Sequence, residues 1–111
     1  MSRDKPGSHS QLAGGLRSRV ERSGTLNRDL RLRILARGAG GPAVSEPYDA
    51  LAHQIAQDSF GVTDAQVAAV LQTTGSERNA FEVVLTAAIG AGLRRWDAAE
   101  KAIREAGGEA F

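Results

Sequence analysis

Apolar residues recur three and four positions apart in five stretches of this sequence, with polar residues, Gly or Pro between them. Residues at that spacing lie on one face of an α-helix. The pattern predicts helices over about 11–22, 26–37, 45–60, 64–74 and 77–106. Apolar and polar residues do not alternate as they do in a strand, and no hairpin signal occurs. The sequence therefore predicts an all-α fold, a small helical bundle of about five or six helices.

The helix predicted between Ser45 and Gly61 has the clearest start and stop signals. Ser45 is a favoured N-cap residue, Pro47 suits the first turn, and Gly61 suits the left-handed position after a helix. An apolar stripe indicates the face that packs in the core. It comprises Tyr48, Leu51, Ala52 and Ile55.

The two following helices also have recognisable ends. Thr63 and Gln66 form a capping-box pattern, Gly75 ends the helix after 64–74, and Ser76 caps the last helix. The predicted inward residues of the first of these helices are Val67, Val70 and Leu71. Those of the last helix are Phe81, Val84, Leu85, Ala88 and Ile89, continued by Leu93, Trp96, Ala99, Ala102 and Ile103. The small residues 87–92 predict close approach of a neighbouring backbone, and their two glycines favour a kink.

The first 45 residues differ in character from the rest. Residues 1–10, including His9, are polar and predict a disordered tail. Two short helices follow, with Leu12, Leu16 and Val20 on one face of the first. In the second, Leu26, Leu30 and Ile34 are predicted to face inward, and Arg28, Arg31 and Arg37 outward. We therefore divide the chain into a tail (1–10), a basic helical extension that ends in a Gly-rich linker (11–44), and a helical core (45–108).

Composition and charge narrow the function classes. At 111 residues the chain suits one domain, and the absence of cysteine excludes disulfides and thiol chemistry. The net charge of +1 conceals nine Lys or Arg against three acidic residues in 1–45, and five against ten in 46–111. Charges of opposite sign favour pairing within or between subunits. The alternative is that the Arg-rich segment 17–37 binds nucleic acid, although it lacks aromatic residues for base stacking.

No apolar run approaches the roughly 20 residues of a membrane-spanning helix, and the polar N-terminus does not resemble a signal peptide. From this pattern we expect a cytoplasmic protein that does not contact a membrane.

Glu46, Asp49 and His53 are the candidate catalytic residues. Their spacing places them within a stripe about 60° wide on one helix. Acidic residues in a first turn are also favoured by the helix dipole, so the stripe equally fits an ordinary exposed face. In a buried pocket these residues could perform general acid–base chemistry. A divalent metal is less favoured by the spacing, and we expect no metal and no cofactor.

The same residues carry a family resemblance. The carboxymuconolactone decarboxylase and alkylhydroperoxidase-D-like family has a Cys-x-x-Cys-x-x-x-His helix with a Gly eight residues after the His. Glu46 and Asp49 stand at the two Cys positions, and His53 and Gly61 match the His and the Gly. Tyr48 matches a common aromatic residue between the cysteines. The following V-T-D-A-Q-V-A-A-V-L resembles the family's short helix, and N-A-F-E-V-V-L-T-A-A-I-G-A-G-L-R-R-W its closing helix.

The resemblance covers about residues 45–106 and implies an alkylhydroperoxidase-D-like bundle that forms homo-oligomers. It also implies that residues 46, 49 and 53 line a pocket. Both cysteines are missing, and a carboxylate cannot form the sulfenic acid or disulfide of a thiol peroxidase cycle. The chain is therefore not a thiol peroxidase.

Three functions are consistent with these observations. The first is a redox-inactive, cysteine-free binding or oligomeric assembly module, which would not be an enzyme. The second is an acid–base lyase or decarboxylase on a small carboxylic acid, using Glu46, Asp49 and His53. Tyr48 and Trp96 are then the candidate substrate-binding residues, although the spacing of Trp96 with Leu93 and Ile103 also fits a core or an interface. The third is nucleic-acid binding through residues 17–37.

Overall fold

A computed structural model describes the backbone of residues 6–22 and 24–107, and the side chains of residues 11–20 and 24–107. Within these ranges the chain forms five α-helices and one 3₁₀ turn, with no strand. The helices are α1 (Pro6–Arg22), α2 (Arg28–Gly38), α3 (Tyr48–Gln57), α4 (Asp64–Thr74) and α5 (Glu77–Gly107), and the 3₁₀ turn is Ser59–Gly61. The prediction of a small all-α bundle is confirmed.

Helix α1 begins at Pro6, so residues 6–10 of the expected tail have helical backbone. Residues 1–5 of that tail and the His9 side chain lie outside the described residues. Helix α2 starts two residues later than expected because Asn27 caps it, its side-chain oxygen accepting a hydrogen bond from the Leu30 N–H at 3.2 Å. Leu26 is buried just ahead of the helix.

The prediction of one helix from Ser45 to Gly61 is wrong at both ends. Helix α3 begins at Tyr48, and the Ser45 carbonyl, not its side chain, accepts a hydrogen bond from the Asp49 N–H. It ends at Gln57, where Asp58 turns to an extended conformation and its carboxylate accepts from the Phe60 N–H. Gly61 belongs to the 3₁₀ turn and has no positive φ. A competing Asp cap therefore ends the helix before the glycine.

The signals around α4 are confirmed. Thr63 and Gln66 form the reciprocal capping box, and Gly75 adopts the left-handed conformation with φ of 70°. The Ser76 hydroxyl then accepts from the Asn79 N–H at 3.2 Å and caps α5. Val70 is fully buried, whereas Leu71 is more than a third exposed and not inward as predicted.

Helix α5 is a single element of 31 residues, which the glycines at 90 and 92 do not interrupt. Its buried face differs from the predicted one. The structure buries Ala80, Val83, Thr86, Ala87, Gly90, Ala91 and Leu93. Of the residues predicted to face inward, Phe81 and Leu85 are 62% and 45% exposed, Ala88 is exposed, and Val84 and Ile89 are half-buried.

This face of α5 is buried because α5 approaches α2 closely. A Cβ added to Gly38 would lie 2.3 Å from the Ala87 carbonyl oxygen, and one added to Gly90 would lie 2.2 Å from that of Leu35. Backbone therefore meets backbone at this contact, and only small residues fit between the helices. Phe81, Leu85 and Trp96 of α5 lie on the opposite, exposed side of the helix.

The core lies where α5 packs on α2 and α3, with α4 closing one side. Its four largest fully buried side chains come from four different helices: Ile34, Leu51, Val70 and Val83. Helix α1 lies on the outside, against α2 and one part of α5.

Candidate functional site

Glu46 precedes α3 rather than lying within it. Its carboxylate is exposed and accepts a hydrogen bond from the Ala50 N–H at 3.0 Å. The first N–H groups of a helix have no partner inside the helix, and an acidic side chain there also complements the helix dipole. Glu46 therefore acts as a cap for α3.

Asp49 joins α3 to α2. Its carboxylate accepts from Arg37 Nε at 2.8 Å and Arg37 Nη2 at 3.3 Å, and from the Val44 N–H at 2.9 Å. The Asp49 and Arg37 side chains are only 16% and 18% exposed. The Val44 N–H and the Arg37 guanidinium outweigh the effect of burial and hold the pKa of Asp49 below its ordinary value.

His53 is exposed on α3, one turn beyond Asp49, and its proximity helps to lower the pKa of that carboxyl group. A general acid needs a carboxyl pKa raised towards neutral pH, which is the opposite direction. The three candidate residues thus share one end of α3, but Glu46 caps the helix, Asp49 pairs with Arg37 and His53 faces solvent.

The two candidate substrate-binding aromatics lie apart from each other in the fold. Tyr48 is half-buried and packs against the main core. Trp96 lines a groove between α1 and α5. Sequence spacing does not reveal this separation, because the two residues lie on different helices.

The groove between α1 and α5 has a volume of about 420 Å³ and an almost wholly apolar lining. Leu12, Ala13 and Leu16 form its α1 side, and Ile89, Gly92, Leu93 and Trp96 form its α5 side. Leu12 and Leu16 are 73% and 41% exposed. Neither this groove nor the two smaller clefts on α5 are lined by Glu46, Asp49 or His53.

An apolar stripe runs along the outer face of α5 beside the groove. Its seven members are all exposed: Phe81, Leu85, Ala88, Gly92, Trp96, Ala99 and Ile103. At 100° per residue they fall within about 80° of the helix circumference. We call this set the outer stripe. It lies opposite the small buried residues, so that α5 has two apolar faces.

Sequence reasoning found most of these residues but assigned them to the core. The missed signal is the size of the side chains. Most residues on the same face as Gly90 are small, as a contact between backbones requires, whereas Phe81, Leu85 and Trp96 lie on a different face. A helix with apolar residues on two faces packs on two sides.

Several arginines of the basic segment contact other parts of the chain. Arg31, predicted to face outward, is buried, and its Nε and Nη1 donate to the carbonyl oxygens of Val20 and Leu26 at 2.7 Å each. Arg17 pairs with Asp97 at 3.5 Å, which links α1 to α5. The Arg17–Asp97 and Arg37–Asp49 pairs each join the basic part of the chain to the acidic part.

A second acidic residue anchors the entry to α2. Glu82 accepts hydrogen bonds from the Thr25 N–H at 2.7 Å and the Leu26 N–H at 3.0 Å. Burial raises the pKa of Glu82, but these backbone hydrogen bonds outweigh that effect, so the pKa lies below its ordinary value. Like Asp49, Glu82 is a structural carboxylate.

Among the described residues, no group of three or more His, Cys, Asp or Glu side chains is placed to hold a metal ion. None of the described helices combines the length and the apolar character needed to cross a lipid bilayer. Comparisons with models of protein families, with curated proteins and with solved structures find no match for this chain.

Proposed function

We propose that this chain is a redox-inactive, cysteine-free helical protein, similar to the carboxymuconolactone decarboxylase-like family, that acts as a binding or assembly module. The observation that carries the proposal is the outer stripe of α5 together with the groove beside it. A contiguous exposed apolar surface of this kind is typical of an interaction site. The docking surface is thus formed by α1 and α5.

The acid–base alternative is less favoured by the contacts of its own residues. The Asp49 carboxylate is committed to Arg37 and to the Val44 N–H, and its pKa is lowered. Removing Asp49 from these partners would remove the ion pair between α2 and α3. A site at this position would have to work with His53 and an exposed Glu46.

A fluorescent probe can test whether the groove takes up apolar groups. N-phenyl-1-naphthylamine is neutral and apolar, and it accepts excitation energy from a nearby tryptophan. Trp96 is the single tryptophan of the chain and lines the groove. We expect the probe, added to dilute protein, to fluoresce on excitation of Trp96.

Two variants localise the signal. Leu16→Ser removes an apolar wall of the groove, whereas Phe60→Ser removes a side chain that is 99% exposed and lies on the 3₁₀ turn. We expect a several-fold weaker probe signal for Leu16→Ser and an unchanged signal for Phe60→Ser, with the far-ultraviolet circular dichroism of both preserved. Equal signals from the two variants, or no signal from the unmodified protein, would contradict the proposal.

A further inference from the structure

The outer stripe has a regular helical spacing that is compatible with a two-fold axis at Gly92. The separations between successive members are four, three and four residues on either side of Gly92. The stripe therefore reads with the same spacing in both directions along the helix. A two-fold symmetric interface requires that if residue i contacts residue j, then j also contacts i.

We propose that the outer stripe binds a second copy of itself, with two α5 helices antiparallel and Gly92 at the two-fold axis. This inference rests on the proposed function, because it names the occupant of that same surface. The pairs across the axis are then Phe81 with Ile103, Leu85 with Ala99, Ala88 with Trp96, and Gly92 with its own copy.

Side-chain volumes favour this orientation over a parallel one. In the antiparallel pair, Trp96 lies opposite Ala88, and Leu85 lies opposite Ala99, so a large residue meets a small one at both places. In a parallel pair Trp96 would meet Trp96 while Ala88 met Ala88, which leaves one contact crowded and the other unfilled. An antiparallel pair also places opposite ends of the helix dipoles together.

Gly92 is suited to the point where the two helices cross. A Cβ added there would meet nothing within 4 Å inside one chain, so packing within the chain does not account for the glycine. At a crossing point, the missing side chain lets the partner backbone come close, as Gly38 and Gly90 do between α2 and α5. The groove reaches Gly92 and Trp96, so Leu12 and Leu16 of α1 extend the apolar surface beside the crossing.

The stripe spans about 33 Å of helix between Phe81 and Ile103. A standard interface buries about 1,200–2,000 Å² in total, whereas here each copy contributes one helix face and the groove beside it. We therefore expect a reversible dimer with a dissociation constant on the order of micromolar. Sedimentation equilibrium between about 1 and 200 µM protein covers this range.

Two variants test the surface. Phe81→Glu places a charge in the stripe, and Phe60→Glu makes the same change on a phenylalanine outside it. We expect Phe81→Glu to weaken association at least tenfold and Phe60→Glu to leave it unchanged. Gly92→Leu places a large side chain where the two helices cross and should also weaken association at least tenfold, with far-ultraviolet circular dichroism showing that the helices are kept.

Single cysteines test the orientation, since the natural chain has none to compete. If the pair is antiparallel, a Leu85→Cys chain mixed with an Ala99→Cys chain should form a disulfide between the two chains when oxidised glutathione is added as the oxidant. Two Leu85→Cys chains should not, because their copies of residue 85 are 14 residues apart along the axis. That separation is about 21 Å, far beyond the 7 Å between Cα atoms that a disulfide allows.

Each result distinguishes the inference from the proposed function. A dimer in which Leu85→Cys chains link to each other, or in which the mixed pair does not form, overturns the antiparallel register and leaves an assembly module. A monomer at all concentrations that still takes up the naphthylamine probe in its groove overturns self-association and leaves a binding module. A monomer that takes up no probe overturns both.

Discussion

At the scale of single residues, Asp49 shows how one carboxylate connects three parts of the chain. It accepts two hydrogen bonds from Arg37 of α2 and one from the Val44 N–H in the loop, while belonging to α3 itself. Because both side chains are mostly buried, solvent screens this pair much less than a surface pair. The same residue type at Asp29 pairs with Arg33 in the open, at 3.0 Å.

We expect Asp49→Asn to lower the free energy of unfolding by about 1–3 kcal/mol, because it leaves the largely buried Arg37 without a charged partner. The matched control is Asp29→Asn, whose pair is exposed, and which should change stability by about 0.5 kcal/mol or less. Urea unfolding at pH 7 measures both. Equal effects of the two variants would contradict a structural role for the Arg37–Asp49 pair.

The same site predicts a pH dependence. The pKa of Asp49 is lower in the folded chain than in the unfolded one. The stabilisation that ionised Asp49 gives to the folded chain is therefore fully present above the unfolded pKa of about 3.9. It is lost as the pH falls through the folded pKa, when the carboxyl group takes up a proton. Unfolding between pH 7 and pH 2 should therefore show a steeper loss of stability below about pH 4 in the unmodified chain than in Asp49→Asn. If the stability of both proteins falls with pH along parallel curves, the predicted role of Asp49 in the pH dependence is contradicted.

At the scale of elements, the contact between α2 and α5 decides which residues of α5 face the core. Gly38 and Gly90 let the two backbones meet, and the buried face of α5 consists mainly of small residues. Helix α5 thereby keeps Phe81, Leu85 and Trp96 outside the core. Its largest fully buried side chain is Val83, and the other large buried side chains are Ile34, Leu51 and Val70 of three other helices.

Alanine substitutions at two glycines of one helix separate packing from helix propensity. Gly90→Ala should destabilise by about 1–3 kcal/mol, because its Cβ would lie 2.2 Å from the Leu35 carbonyl oxygen and force the helices apart. Gly92→Ala meets nothing within the chain and should be neutral or stabilising by up to about 1 kcal/mol. Thermal unfolding of dilute protein gives both values. A stabilising Gly90→Ala would show that the helices do not touch there.

At the scale of the whole molecule, charge and apolar surface have different consequences. The oppositely charged parts of the chain meet through Arg17 with Asp97 and Arg37 with Asp49, which leaves fewer arginines for an anionic partner. The apolar surface of α5, by contrast, stays exposed along most of the helix. Association through that surface links folding to protein concentration.

We therefore expect the melting temperature to rise by several degrees between about 1 and 200 µM protein. Phe81→Glu should show a smaller rise that begins at higher protein concentration, whereas Phe60→Glu should behave like the unmodified chain, because only Phe81 lies in the stripe. Differential scanning calorimetry measures the midpoints. A rise in Phe81→Glu as large as that of the unmodified chain would place the association on another surface.

The sequence by itself determined the features that depend on neighbouring residues. The five helices, the capping box at Thr63 and Gln66, the left-handed Gly75 and the Ser76 cap follow from local hydrogen bonding and backbone preference, which act over a few residues. Local competition explains the early end of α3, where Asp58 caps the 3₁₀ turn and ends the helix before Gly61. The helix also begins later than predicted, at Tyr48.

Only the tertiary structure decided which apolar face of α5 is buried and what the charged side chains do. Periodicity shows that a helix has apolar faces, but the distance between α2 and α5 selects the small-residue face and leaves Phe81, Leu85 and Trp96 outside. The roles of Arg31 and Asp49 depend in the same way on groups distant in sequence, Val20 for the one and Arg37 for the other. Helical spacing brought Glu46, Asp49 and His53 together as a candidate site, but contacts with other elements set the role of each carboxylate.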